Sequence, residues 1–126
     1  MDVEQSLLAV REVYVNAPRR VQHIEESLRS VEEEIQDILH VIELGRFNAS
    51  DGYKLAKELQ NARIERRKLK DALELLKPIK DLMTFTKPTE SNIGKVLGDL
   101  RNIKKRHQNR GYRMRKRSDL EQMIKK

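Results

Sequence analysis

An all-α fold, an antiparallel coiled-coil-like hairpin, is what this sequence predicts, and three observations carry that expectation. Two runs of apolar residues keep a heptad spacing. A short polar break between them holds Gly45 and Asn48. The loop between the two runs is only about three residues long. Of the 126 residues, 37% are charged and 4% aromatic, which suits an elongated helical protein better than a thick globule.

The first helix of the hairpin is expected over about 18–44. Val21, Ile24, Leu28, Val31, Ile35, Ile38 and Ile42 are spaced three and four apart in strict alternation. That is an a/d seam, with Glu25, Glu26, Glu32, Glu33, Glu34 and Asp37 directed mostly to solvent. Gly45 should end the helix in a left-handed C-cap, and Asn48 should cap the next helix with Asp51 in its first turn. The second helix, about 49–82, repeats the seam with Leu55, Leu59, Ala62, Arg66, Leu69, Leu73 and Leu76. So short a loop makes the two helices antiparallel neighbours. Pairing outward from the turn sets Ile38 by Leu55, Ile35 by Leu59, Val31 by Ala62 and Leu28 by Arg66, a shared length of roughly 33 Å. Arg66, the charged residue of the seam, is expected to lay its stem on Leu28 and reach Glu25 or Glu32.

An N-terminal helix is expected over about 3–15, where Val3, Leu7, Val10, Tyr14 and Ala17 continue the spacing into Val21. Pro18 either starts a new helix or kinks a continuous one. Because Pro78 lies at almost the same level of the other arm, both arms bending together would hold 3–14 against 79–83. Residues 1–83 thus form a hairpin body, 84–90 a linker, and 91–126 an amphipathic helix followed by a basic region. The amphipathic helix offers Ile93, Val96, Leu97, Leu100 and Ile103. Gly94 and Gly98, four apart in it, permit close approach of another backbone. Ser118 with Glu121 suggests a capping box opening a last short helix that presents Leu120, Met123 and Ile124. A two-helix hairpin is marginal alone, so the 91–107 helix, the N-terminal helix or a second copy should cover it.

Charge is concentrated at one end. Between Arg101 and Arg117 there are nine Lys or Arg residues and no acidic one. Residues 99–126 carry a net +8, while the first 98 carry −1. Arg101, Lys104, Lys105, Arg106, Arg110, Arg113, Arg115, Lys116 and Arg117 therefore form a candidate binding element for DNA, RNA or another acidic partner, with Tyr112 as a ring for stacking. Nothing in it specifies a base sequence, so recognition would be led by backbone or shape. A basic tail that serves solubility, ordered or not over 108–118, is the plainer account. Membrane-surface binding is disfavoured by the few bulky apolar residues between Arg106 and Arg117.

Other chemistry is poorly supported. The absence of cysteine removes disulfides, thiolate metal sites and thiol nucleophiles. His23 and His40 fall on the outer face, where a solvated surface explains them more simply than a metal. No Ser/His/Asp pattern or glycine-rich phosphate loop is present. The expectation is a non-enzymatic protein with no cofactor, metal or small-molecule substrate. The acidic N-terminus lacks signal-peptide features and no apolar run reaches the ~20 residues of a membrane span, so a cytoplasmic location without membrane contact is expected.

The blocks Asp37-Ile-Leu-His-Val-Ile-Glu-Leu, Asn48-Ala-Ser-Asp-Gly-Tyr-Lys-Leu and Glu65-Arg-Arg-Lys-Leu-Lys resemble a group of small α-helical accessory proteins of phages and prophages of Gram-positive, Bacillus-type bacteria. The resemblance covers about residues 20–80. It implies action in the cytosol of an infected or lysogenic cell, and it brings no catalytic residue. Three functions fit: binding of nucleic acid or a host nucleoprotein complex through the basic end, inhibition of a host defence or replication enzyme by a protein–protein effector, or a structural component that oligomerises, a homo-dimer included.

Overall fold

The structure, a computed structural model, describes residues 2–124; Met1, Lys125 and Lys126 of the expected segments lie outside the described residues. It is all-helical, with no strand among the described residues. The elements are α1 (Val3–Arg11), a π-helical turn (Glu12–Asn16), α2 (Ala17–Leu44), α3 (Ala49–Leu82), α4 (Glu90–Gln108) and a 3-10 turn (Ser118–Met123).

Helices α2 and α3 form the antiparallel hairpin. Its core cluster is Val31, Ile35 and Ala62, with Leu28, Leu39, Leu59 and Leu69 packed against it, which is the register the two heptads require. Asn48 caps α3, its side-chain oxygen accepting from the Asp51 N–H at 2.8 Å. Gly45 does not adopt the expected left-handed cap; its φ of −85° and ψ of 164° are extended. Glycine is required there because the chain passes close to the end of α2. A Cβ on Gly45 would sit 2.6 Å from the Val41 carbonyl oxygen. Arg66 is half-buried in the seam, beside Glu32, Ile35, Gln36 and Leu39, but makes no ion pair among the described residues. The expected bridge to Glu25 or Glu32 is not formed.

Pro18 does not start a separate helix. Helical backbone runs from α1 through α2, and the turn before the proline widens so that the Ala17 N–H donates to the Glu12 carbonyl, five residues back. A π-turn moves the preceding carbonyls away from the proline ring, relieving the clash that an α-turn imposes. Glu12 fastens the turn by accepting from the Asn16 amide at 2.8 Å and pairing with Arg20. One residue added to a turn rotates the helix before it by about 100° relative to the helix after it. The apolar stripe of α1 is thereby turned off the hairpin seam. Residues 3–14 do not lie along 79–83: α1 continues into the π-turn and does not pack closely on α3 or α4.

Helix α4 folds back along α3 and packs on the side away from α2. Asp71, which His107 of α4 approaches to 3.6 Å, is nine residues from the core Ala62, half a turn round the helix. Pro78 and Leu82 on α3 and Ile103 on α4 are buried at this second seam. So α3 lies between α2 and α4, and the amphipathic helix does not cover the hairpin's open face. A groove of about 670 Å³ there, lined by Val21, Leu28, Leu73 and Lys77, stays accessible. The core is correspondingly thin, and no side chain is fully enclosed among the described residues. Gly94 and Gly98 serve no close approach, since nothing lies within 4 Å of a Cβ added at either. The capping box expected at Ser118 is also not formed, because the 3-10 turn starts from Arg117 without a side-chain cap.

Candidate nucleic-acid interface

Helix α4 owes its start to a capping box: Thr89 and Asn92 exchange bonds between side chain and backbone, at 3.2 Å and 3.0 Å. From there Val96 and Leu100 are half-buried and Ile103 is buried, while Ile93 and Leu97 stay exposed, and the helix ends at the clustered cations. The ten candidate residues then divide into two groups.

Three of them are tied down. Arg110 donates two bonds to the Asp71 carboxylate, Nη1 at 2.8 Å and Nη2 at 2.9 Å, a bidentate fork across 39 residues. Arg106 Nη2 lies 3.5 Å from Glu74 Oε1. Arg117 grips Asp119 two residues on, at 2.6 Å and 2.9 Å. Between the first two sits His107, whose Nε2 donates to Glu74 Oε1 at 2.7 Å and lies 3.6 Å from Asp71 Oδ1. The His107 side chain is 16% exposed, well below the arginines around it. The Arg110 fork holds the Asp71 carboxyl below its ordinary range against a partial desolvation that opposes it, with smaller contributions from His107 and Arg67. The same contact raises Arg110 above its ordinary value.

The other seven, Arg101, Lys104, Lys105, Tyr112, Arg113, Arg115 and Lys116, are all exposed. None makes an ion pair or side-chain hydrogen bond among the described residues. On α4, Arg101 and Lys105 sit roughly opposite the buried Ile103, with Lys104 beside them, so the inward face fixes the outward one. Arg113, Arg115 and Lys116 follow on irregular backbone between the Arg110 clamp and the 3-10 turn. Tyr112 is 64% exposed within the same stretch.

The clamp's acidic half, Asp71 and Glu74, and its His107 were missed by the sequence reading. One signal was present: Asp71 and Glu74 are three apart on α3, as are His107, in the last turn of α4, and Arg110, just beyond its end, and antiparallel helices bring the two pairs face to face. His23 and His40 are exposed, and no group of three ligating side chains converges among the described residues. No helix is long and apolar enough to cross a membrane among the described residues. No protein-family model, curated protein or solved structure matches the chain.

Proposed function

We propose that this chain is a non-enzymatic accessory protein, of the phage type suggested by its resemblance, that binds nucleic acid or a nucleoprotein complex through its C-terminal region. One observation carries the reading. Six cations, Arg101, Lys104, Lys105, Arg113, Arg115 and Lys116, stand exposed and unneutralised among the described residues, beside a clamp that anchors the segment joining them. A cation without an internal carboxylate gives its full counterion-release contribution on meeting a phosphate. Arg106, Arg110 and Arg117 hold the segment in place rather than supply that charge, and Tyr112 offers a ring on which an unpaired base stacks.

The test keeps the whole chain and changes only exposed cations. Binding of labelled DNA and RNA is measured across a salt series for the parent, for Arg113→Ala/Arg115→Ala/Lys116→Ala, and for Arg101→Ala/Lys104→Ala/Lys105→Ala. Each triple variant should weaken binding and flatten the log–log salt slope by about three, near one per lost phosphate contact. Parent-level affinity and slope in both triples, or no binding by the parent at low salt, would overturn the proposal.

A second reading is favoured by the far end of the hairpin. Leu44, Phe47 and Tyr53 at its tip are 78%, 43% and 70% exposed, an apolar patch that suits contact with a protein. In that reading the chain is an effector that inhibits a host enzyme of nucleic-acid metabolism, with the basic end occupying a surface meant for nucleic acid. A nuclease-treated pull-down from host lysate that loses its partner on Tyr53→Asp, with no nucleic-acid affinity in the purified chain, would favour it over the first.

A further inference from the structure

Helix α1 combines features that do not fit an isolated segment. Its N-terminus is fully capped: the Gln5 N–H donates to Asp2 Oδ1 at 2.8 Å and the Asp2 N–H to Gln5 Oε1 at 3.3 Å. Its nine residues prolong the helical backbone of α2 beyond the π-turn, yet none of them is buried. Val3, Leu7 and Val10 form one stripe at 77%, 64% and 51% exposure. The hairpin cannot cover that stripe, because the π-turn rotates it off the seam. Nor can α4 cover it, being on the far side of α3. The stripe keeps heptad spacing, so its natural occupant is another helix of the same kind.

The charges of α1 say which helix, and in which direction. Between Val3 and Arg11 there is one acid, Glu4, and one base, Arg11, at equivalent heptad positions directly after Val3 and Val10. We propose that α1 pairs with α1 of a second copy in an antiparallel, two-fold arrangement, Leu7 of each packing on Val10 of the other. The two-fold axis then falls near residues 8 and 9, and Glu4 of each copy lies beside Arg11 of the other. The pair forms twice, and each charge is answered once. A parallel pair instead leaves Glu4 and Arg11 about 10 Å apart along the axis, with neither answered. The arrangement is isologous and closed, so it stops at a dimer. It joins two copies by their N-termini and leaves both basic regions unobstructed, whatever those regions bind.

The experiment is sedimentation or light scattering of the full chain over a wide concentration range, without nucleic acid. The parent should show a reversible monomer–dimer equilibrium. Leu7→Asp should abolish it while leaving the thermal melt of the α2–α3 hairpin in place, since Leu7 is not part of the hairpin core. Glu4→Arg and Arg11→Glu, each alone, juxtapose like charges and should weaken the dimer about tenfold. An equimolar mixture of these two variants should form a heterodimer near parental strength, because one copy then carries two cations and the other two anions. A chain that stays monomeric throughout would overturn the proposal. So would self-association indifferent to Leu7→Asp, or a mixture no tighter than either variant alone.

Discussion

The two seams of α3 are built on different physics. On one side Val31, Ile35, Ile38 and Ala62 are buried in a repeating apolar register that runs for several heptads. On the other side a short apolar contact of Pro78, Leu82 and Ile103 is finished by two carboxylates holding one histidine and two arginines. The first seam is fastened by area, which is non-directional and accumulates along the helix. The second is fastened by a few directional contacts at one level, which fix a position but contribute little where solvent reaches them. What distinguishes them is therefore stiffness of placement against amount of stabilisation.

That contrast can be broken most severely at Ile35. Ile35→Ala removes the centre of the core cluster and should cost about 2–4 kcal/mol, read as a large fall in the urea midpoint of helical circular dichroism. A loss confined to a few tenths would mean that the hairpin is held elsewhere. The second seam should respond to backbone rather than to burial. Gly94 and Gly98 have open space around them in a helix interior, so Gly94→Ala with Gly98→Ala should gain about 1–2 kcal/mol in the stability of α4. The gain is visible as added helical signal and a higher melting temperature, and a decrease would reveal a neighbour that the geometry does not show.

Arg66→Leu sharpens the first seam. An unpaired, half-buried cation among Ile35 and Leu39 gives way to a side chain that belongs there, and stability should rise by about 0.5 kcal/mol. A fall in the midpoint would restore the bridge to Glu32 that the structure lacks. The smallest effect belongs to pH. Asp71 is held below its ordinary value of 3.8, so its contribution is complete above that value and is lost as pH falls through the lowered one. The side-chain resonances of Arg110 should therefore shift as pH falls below the ordinary carboxyl range, and Asp71→Asn should remove that titration. A shift centred above the ordinary carboxyl range would place the controlling proton elsewhere.

The hairpin was legible because its information is local and repeated. Each heptad restates the period, and Asn48 states the restart of the helix through its own side chain. The route of α1 was not legible, because the seam spacing from Val10 to Val21 reads as unbroken while a single π-turn displaces everything before it. Gly45 was located correctly and explained incorrectly: its closeness to the Val41 carbonyl, rather than its dihedral freedom, excludes a side chain. At the basic end, composition marks the cluster of cations but not their division. Which arginine is spent on Asp71 depends on a contact between residues 39 apart, and charge counting alone does not contain it.

The position of α3 between its two neighbours also decides how the molecule comes apart. Since α2 and α4 lean on opposite sides of one helix, the hairpin does not need α4, and α4 can open as a unit while α2 and α3 stay closed. Amide hydrogen exchange should then fall into steps. Helix α1 exchanges first, α4 exchanges next in a burst set by its own short contact, and the level of Val31 and Ala62 exchanges last, through complete unfolding. With partners so near in sequence along each seam, refolding should be rapid and should run through the bare hairpin. For the binding role proposed for the basic end, which follows the more loosely attached helix, that order lets the C-terminal region detach and rebind while the hairpin stays folded.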